Sequence, residues 1–176
     1  MYPKAYIDYL IYFHCDRDYF ECHEILEEHW KMDSVDKRKT YWVALIQIAV
    51  SLYHHRRGNF AGALRMMKSA ISIINEEKNA IQQLGLQVEE LVDQLQQKLE
   101  DIQNGLPYKS INLPINDSKL LSTCVSISER AGKSWGKPSD ITNKQLIDKH
   151  RLRDRSDVIE EREKQIRRKQ KERQGR

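Results

Sequence analysis

The sequence has few cysteines and no apolar run long enough to cross a membrane. Its three cysteines, Cys15, Cys22 and Cys124, are an odd number without the paired spacing of zinc ligands. This pattern argues against a disulfide framework and a cysteine zinc site, and it predicts reduced thiols in the cytoplasm. The longest apolar stretch, residues 41–53, is too short to span a bilayer, and a basic-then-apolar secretion signal is absent. We therefore predict a soluble cytoplasmic protein that does not contact membranes.

Positive charge is concentrated at the C-terminal end of the chain. Residues 144–176 contain 13 Lys or Arg and 7 Asp or Glu, a net charge of +6. Because the whole chain carries +4, residues 1–143 carry a net charge of −2. A basic tail on a slightly acidic body predicts one domain with an appendage and argues against a basic domain.

Apolar residues recur at helical spacing between residues 2 and 103 and predict about five helices. The helix predicted over residues 40–57 is apolar around most of its circumference, which is typical of the centre of a bundle. Gly58 suits the left-handed position after that helix, and Asn59 suits the N-cap of the next one. So short a turn requires the two helices to pack antiparallel. The predicted fold is all-α, with a compact helical bundle in residues 1–105.

The remainder of the chain has weaker patterns. Residues 106–143 contain proline, glycine and polar residues without a clear period, and they predict an irregular segment that could pack on the bundle. Residues 144–176 predict a charged, net basic C-terminal helical tail without a core of its own. Such a tail is typical of a segment that docks on a partner.

Polar residues interrupt the apolar faces of two predicted helices, residues 18–30 and residues 40–57, which we call the two central helices. At about 100° per residue, His23 falls among core-facing side chains and has Glu27 one turn further on. The candidate polar cluster or ligand site consists of His23, Glu24, Glu27, Gln47, Ser51 and His54. One interpretation is an inert hydrogen-bonded cluster that fixes the helix register. The other is a small-ligand pocket between the same helices, lined by Tyr19, Trp30 and Trp42.

A metal site is the most specific alternative function for these residues. His23 and Glu27 on one helix and His54 on its antiparallel neighbour could present two imidazoles and one carboxylate to zinc or iron. Glu24 would then be the general base of a hydrolase, as in the related metalloprotease helix motif. Against this hypothesis, Glu24 lies about 100° from His23 around the helix. We therefore expect no cofactor and no bound metal, and we keep a divalent metal as the alternative.

Two groups of basic residues could contact phosphates. The first, His54, His55, Arg56 and Arg57, ends the second central helix, where the helix dipole also favours cations. The second is the basic tail, which suggests nucleic-acid contact. Interspersed acidic residues weaken that interpretation because phosphate attraction depends on the net local charge. The tail also has no aromatic side chain on which bases could stack.

Three stretches of the sequence resemble the bacterial and archaeal family catalogued as domain of unknown function 309. They are residues 19–30, residues 45–54 and residues 58–63. The resemblance covers roughly residues 6–74 and implies a small all-helical domain, but it implies no activity. The family-like polar positions include those selected by helical periodicity: His23, Glu24, Glu27, Gln47, His54 and Asn59.

Together these patterns favour a non-enzymatic helical binding or scaffolding protein with a polar His/Glu cluster between its two central helices. Its core would offer a groove near Trp30 and Trp42, and residues 144–176 would dock on a protein partner. A metal-dependent hydrolase that uses His23, Glu27 and His54 is the first alternative. Nucleic-acid contact through the basic tail is the second.

Overall fold

The computed structural model describes residues 1–152 and 156–175, and it describes the side chains of residues 1–152 and 159–175. Over these residues the chain forms ten α-helices and no β-strand, so the all-α prediction is confirmed. The helices are α1 (Lys4–Ile11), α2 (Tyr19–Lys31), α3 (Thr40–Arg56), α4 (Phe60–Glu76), α5 (Lys78–Gln83), α6 (Val88–Gln103), α7 (Ser118–Arg130), α8 (Lys144–Ile147), α9 (Lys149–Leu152) and α10 (Ser156–Gln174). A π-helical turn, Tyr12–Asp16, and a 3-10 turn, Val35–Lys37, lie between them. None of the described helices is both long enough and apolar enough to cross a membrane.

The bundle is built around α3. Because α3 is apolar on most sides, it can bury side chains against α2 on one flank and α4 on another. Leu45, Ile48 and Leu52 of α3 are inaccessible to solvent. Helix α1 packs on α2, and α6 packs on α4. The region predicted to hold about five helices contains six, because the short α5 intervenes before α6.

The turn between α3 and α4 has the geometry that its residue types favour. Gly58 has a φ of 78°, in the left-handed region where a side chain would be strained. The Asn59 side chain accepts a hydrogen bond from the Gly62 backbone N–H at 3.0 Å and so caps α4. This tight connection brings α4 back along α3 in antiparallel packing.

Residues 106–143 contain a helix that the sequence patterns did not predict. Helix α7 has 13 residues, and the Asp117 side chain caps its first turn. Its buried face holds Leu120 and Cys124, and it packs on α1. The face is narrow and is interrupted by serine and threonine, so the helical period is weak in the sequence. Packing against α1 supplies the stabilisation that the local sequence lacks.

The predicted tail, residues 144–176, divides into two parts in the structure. Lys149 forms ion pairs with Asp18 and Glu21, and His150 is hydrogen-bonded to the Tyr53 hydroxyl, so α9 lies on the bundle. In α10, by contrast, every described side chain is exposed. Residues 153–155 and 176 of the predicted tail lie outside the described residues.

Candidate functional site

Helix α2 carries three residues of the predicted polar cluster: His23, Glu24 and Glu27. The Asp18 side chain caps α2 by accepting a hydrogen bond from the Glu21 N–H at 3.1 Å. His23 Nε2 lies 2.7 Å from Glu27 Oε2, and His23 Nδ1 lies 3.3 Å from Glu24 Oε1. The structure therefore brings His23, Glu24 and Glu27 together on one helix.

His23 lies at the edge of the buried face of α2, whereas the helical periodicity placed it in the middle of that face. The buried face is formed by Tyr19, Cys22 and Leu26. The side chains of His23 and Glu27 are each 31% exposed. Partial burial by itself would raise the pKa of the Glu27 carboxyl, but Lys31 and His23 outweigh it and lower that pKa.

The members of the candidate cluster on α3 are Gln47, Ser51 and His54, and two of them contact α4 or its N-cap. Ser51 Oγ donates a hydrogen bond to the Ala63 carbonyl of α4 at 2.7 Å. His54 Nδ1 accepts a hydrogen bond from the Asn59 side-chain amide at 3.2 Å. Burial, with help from two nearby arginines, lowers the pKa of His54. The buried Gln47 Oε1 has no hydrogen-bond partner among the described residues.

No group of three or more His, Cys, Asp or Glu side chains in the described part of the chain is arranged to hold a metal ion. His23 and Glu27 pair with each other, while His54 contacts the turn that begins α4. The geometry therefore offers no support for the alternative metal site at His23, Glu27 and His54, which stays a prediction.

The three aromatic residues predicted to line one pocket lie in different surroundings. Tyr19 is fully buried, and its hydroxyl is hydrogen-bonded to the Tyr108 hydroxyl. Trp30 lies under the Arg38 guanidinium, 4.6 Å from the ring centre. Trp42 lines a groove of about 670 Å³ between α1, α3, α5 and α7. Neither Tyr19 nor Trp30 is among the described lining residues of that groove.

The outer face of α2 forms a separate groove, which we call the α2 groove. It has a volume of about 680 Å³ and an apolar floor that includes Phe20, Ile25 and Met32. The charged residues that line it are Glu21, Glu24, Glu27, Glu28, Lys31 and Lys149. Four acidic against two basic side chains give this surface a net charge of −2. An open, acidic groove with apolar residues is suited to a basic amphipathic segment.

A second polar region, which we call the arginine site, lies where α2 begins and α3 ends. It consists of Arg17, Arg56, Lys98, Tyr19 and Tyr108. Burial lowers the pKa of Lys98, although Asp101 nearby opposes the effect. Burial also lowers the pKa of the neighbouring His55, whose Nε2–H donates to the Leu106 carbonyl at 2.8 Å.

The sequence contains only a partial signal for the arginine site. The basic run from His54 to Arg57 suggested phosphate contact, and Arg56 is part of the arginine site. Arg17 stood in a turn between two aspartates, and Tyr108 in a segment without periodicity. These residues meet through contacts between distant parts of the chain, which periodicity does not reveal.

Comparisons with known proteins agree with the resemblance noted in the sequence. The family described as domain of unknown function (DUF309) matches residues 6–66. A protein of Bacillus subtilis (strain 168), "Uncharacterized protein YpuF", is 56% identical over 173 residues, which cover 98% of this chain and 99% of that protein. No solved structure matches. The predicted resemblance is confirmed, and the chain belongs to the DUF309 family.

Proposed function

We propose that this protein is a non-enzymatic helical scaffolding protein in which α10 of one copy binds the α2 groove of a second copy. The exposure of α10 is the observation that carries the proposal, since every described side chain from residue 159 to residue 175 is exposed. The described side chains of this helix form no packed face, and most of the stability of a helix in a protein comes from packing such a face. A surface that covers one face of α10 would therefore stabilise it.

The apolar residues of α10 and of the α2 groove have matching spacing. Ile159 and Ile166 are seven residues apart and are 53% and 55% exposed. Ile25 and Met32, which line the groove, are also seven residues apart, and Met32 is 80% exposed. Seven helical residues span about 10 Å and nearly two turns, so each pair shares one face of its helix. The two pairs can meet when α10 lies along α2.

The charges of the two surfaces are opposite. The α2 groove has a net charge of −2. Residues 159–174, the described side chains of α10, contain seven Lys or Arg and four Glu, a net charge of +3. Opposite charges at the rim of an interface speed association and orient the partners. The apolar side chains of the two surfaces, Ile159 and Ile166 on α10 and Ile25 and Met32 in the groove, would supply the affinity.

The test is the self-association of the full chain, measured by sedimentation velocity over a concentration series. We expect Met32→Asp to weaken association by about tenfold or more, because a charged side chain replaces an apolar one in the contact. Val35→Asp is the matched control, because Val35 is 77% exposed and close to α2 but does not line the groove. It should associate like the unmodified chain.

A chain that stays monomeric at every concentration would contradict the proposal. An assembly that Met32→Asp leaves intact would contradict it equally. If the tail instead bound single-stranded RNA with an affinity that falls steeply with salt, the nucleic-acid alternative would take its place. The hydrolase alternative at His23, Glu27 and His54 has no observation in its favour.

A further inference from the structure

The arginine site holds buried positive charges that form no ion pair with a carboxylate of the described residues. Arg17 is only 1% exposed. Its guanidinium donates to the Lys137 carbonyl at 2.8 Å, to the Asn112 side-chain oxygen at 2.6 Å and to the Ile111 carbonyl. All three acceptors are neutral, so the charge of Arg17 is solvated by the protein but is not neutralised. A buried charge without an opposite charge costs stability.

Arg56 lies beside Arg17 and has unused hydrogen-bond donors. Its Nη1 donates to the Arg17 carbonyl at 2.8 Å and to Ser139 Oγ at 2.9 Å. Its Nε and Nη2 atoms are buried and find no acceptor among the described residues. The guanidinium carbon is 4.7 Å from the centre of the Tyr19 ring and 5.8 Å from that of the Tyr108 ring. These ring faces offset part of the charge but leave the two N–H groups without an oxygen acceptor.

Lys98 adds a third cationic group to the same region. It is 4% exposed, and its Nζ donates to the Lys109 carbonyl at 2.5 Å. Across the described residues, no carboxylate forms an ion pair with Arg17, Arg56 or Lys98. The positive charge of the region therefore exceeds the negative charge that the chain places in contact with it.

Hydroxyl groups and a cavity lie against these cations. Tyr108 Oη is 3.0 Å from Ser110 Oγ and 3.1 Å from Ser139 Oγ. The three residues line a cavity of about 360 Å³, together with Arg17 and Lys109. No acidic side chain is among the described residues that line this cavity. Arg56 is not among the described lining residues, but its Nη1 donates to the hydroxyl of Ser139, which belongs to the cavity wall.

We propose that this cavity binds a phosphate group, either as free inorganic phosphate or as the end of a small phosphomonoester. A phosphate carries several acceptor oxygens and up to two negative charges, which match the guanidinium, ammonium and hydroxyl donors around the cavity. It would also supply the counter-charge that Arg17 and Arg56 lack. This site is separate from the α2 groove, and it does not depend on self-association.

The test is isothermal titration of the full chain with inorganic phosphate, and in a parallel arm with glycerol phosphate, at an ionic strength matched with chloride. We expect saturable binding of one phosphate group per chain. Ser110→Ala removes a hydroxyl from the cavity wall and should weaken the binding about tenfold, because a hydrogen bond to a charged group is lost. Lys109→Ala should weaken it by a smaller factor, since Lys109 is exposed to solvent.

The matched control is Lys68→Ala, which removes an exposed lysine of α4 that does not line the cavity. It should bind like the unmodified chain. Thermal unfolding of each variant checks whether the fold is intact. The arm with the tighter binding identifies whether the free ion or an ester is preferred. Absence of saturable binding in both arms would overturn the proposal, and so would equal affinity in Ser110→Ala and the unmodified chain.

Discussion

At the scale of single residues, His14 shows how a buried imidazole can be structural. It is inaccessible to solvent, its Nδ1 lies 2.7 Å from the Leu10 carbonyl, and its Nε2 accepts from the Leu113 N–H at 3.0 Å. Its ring stacks on Trp135 at 4.3 Å between centres. These contacts require a neutral ring with the proton on Nδ1. Burial lowers the pKa of His14 to about 4.

The pKa of His14 predicts acid-sensitive stability. Between pH 6.5, the ordinary value for histidine, and about pH 4, the unfolded chain binds a proton at His14 that the folded chain does not. Neutral His14 therefore makes its full contribution to the free energy of unfolding above pH 6.5. This contribution is lost as the pH falls towards 4. We expect a loss of up to about 3 kcal/mol, measured by urea unfolding across this range.

His14→Gln supplies the comparison, because it can keep hydrogen-bonding groups but does not titrate. His54 and His55 also have lowered pKa values and add to the same acid sensitivity in both proteins. The difference between the two pH profiles therefore isolates His14. Parallel profiles would show that His14 does not contribute.

At the scale of elements, α7 depends on tertiary packing more than on its own sequence. Only part of its surface is apolar, and its buried side chains are Leu120, Cys124 and Ser128. Ser128 Oγ donates to the Cys124 carbonyl at 2.7 Å, which satisfies the hydroxyl within the helix. A helix of this composition gains stability mainly by placing its narrow face against α1.

Leu120→Ala tests the contribution of that face. Leu120 is 2% exposed, so its truncation leaves a cavity and should lower the free energy of unfolding by about 2–4 kcal/mol. Leu121→Ala, at a partly exposed neighbouring position on the same helix, is the control and should cost less. Urea unfolding measures both. Equal losses at the two positions would mean that α7 does not pack as described.

At the scale of the whole molecule, the packed body includes part of what the charge pattern assigned to the tail. Asp148 pairs with Arg57 at 3.2 Å, and Lys149 pairs with Asp18 and Glu21. These contacts join α8 and α9 to the N-terminus of α2 and the C-terminus of α3. The described side chains of α10, in contrast, are all exposed.

Two truncations should therefore differ in stability. A chain that ends at residue 155 should melt at nearly the same temperature as the full chain, because it loses only exposed side chains among those described. A chain that ends at residue 143 should melt at a lower temperature, because it loses Lys149, Asp148 and His150. Differential scanning calorimetry at low protein concentration, where self-association is weakest, makes the comparison. Equal losses in both chains would contradict this division.

The sequence by itself determined the helical class, the α3–α4 turn, the family and the basic tail. Each of these rests on local information: a period of 3.6 residues, the conformational preferences of Gly58 and Asn59, three family-like stretches of sequence, and the order of charges along the chain. The pairing of His23 with Glu27 could also be predicted from local sequence, because the two residues are one turn apart on α2.

Only the tertiary structure decided where the other polar residues point. Ser51 faces α4 and not His23, because the rotation of α3 is set by all the helices packed around it. The arginine site joins Arg17 and Arg56 to Tyr108 and Ser139, which are far apart in sequence. Helical periodicity specifies which residues share a face, but not which distant segment covers that face. That choice depends on the packing of the complete bundle.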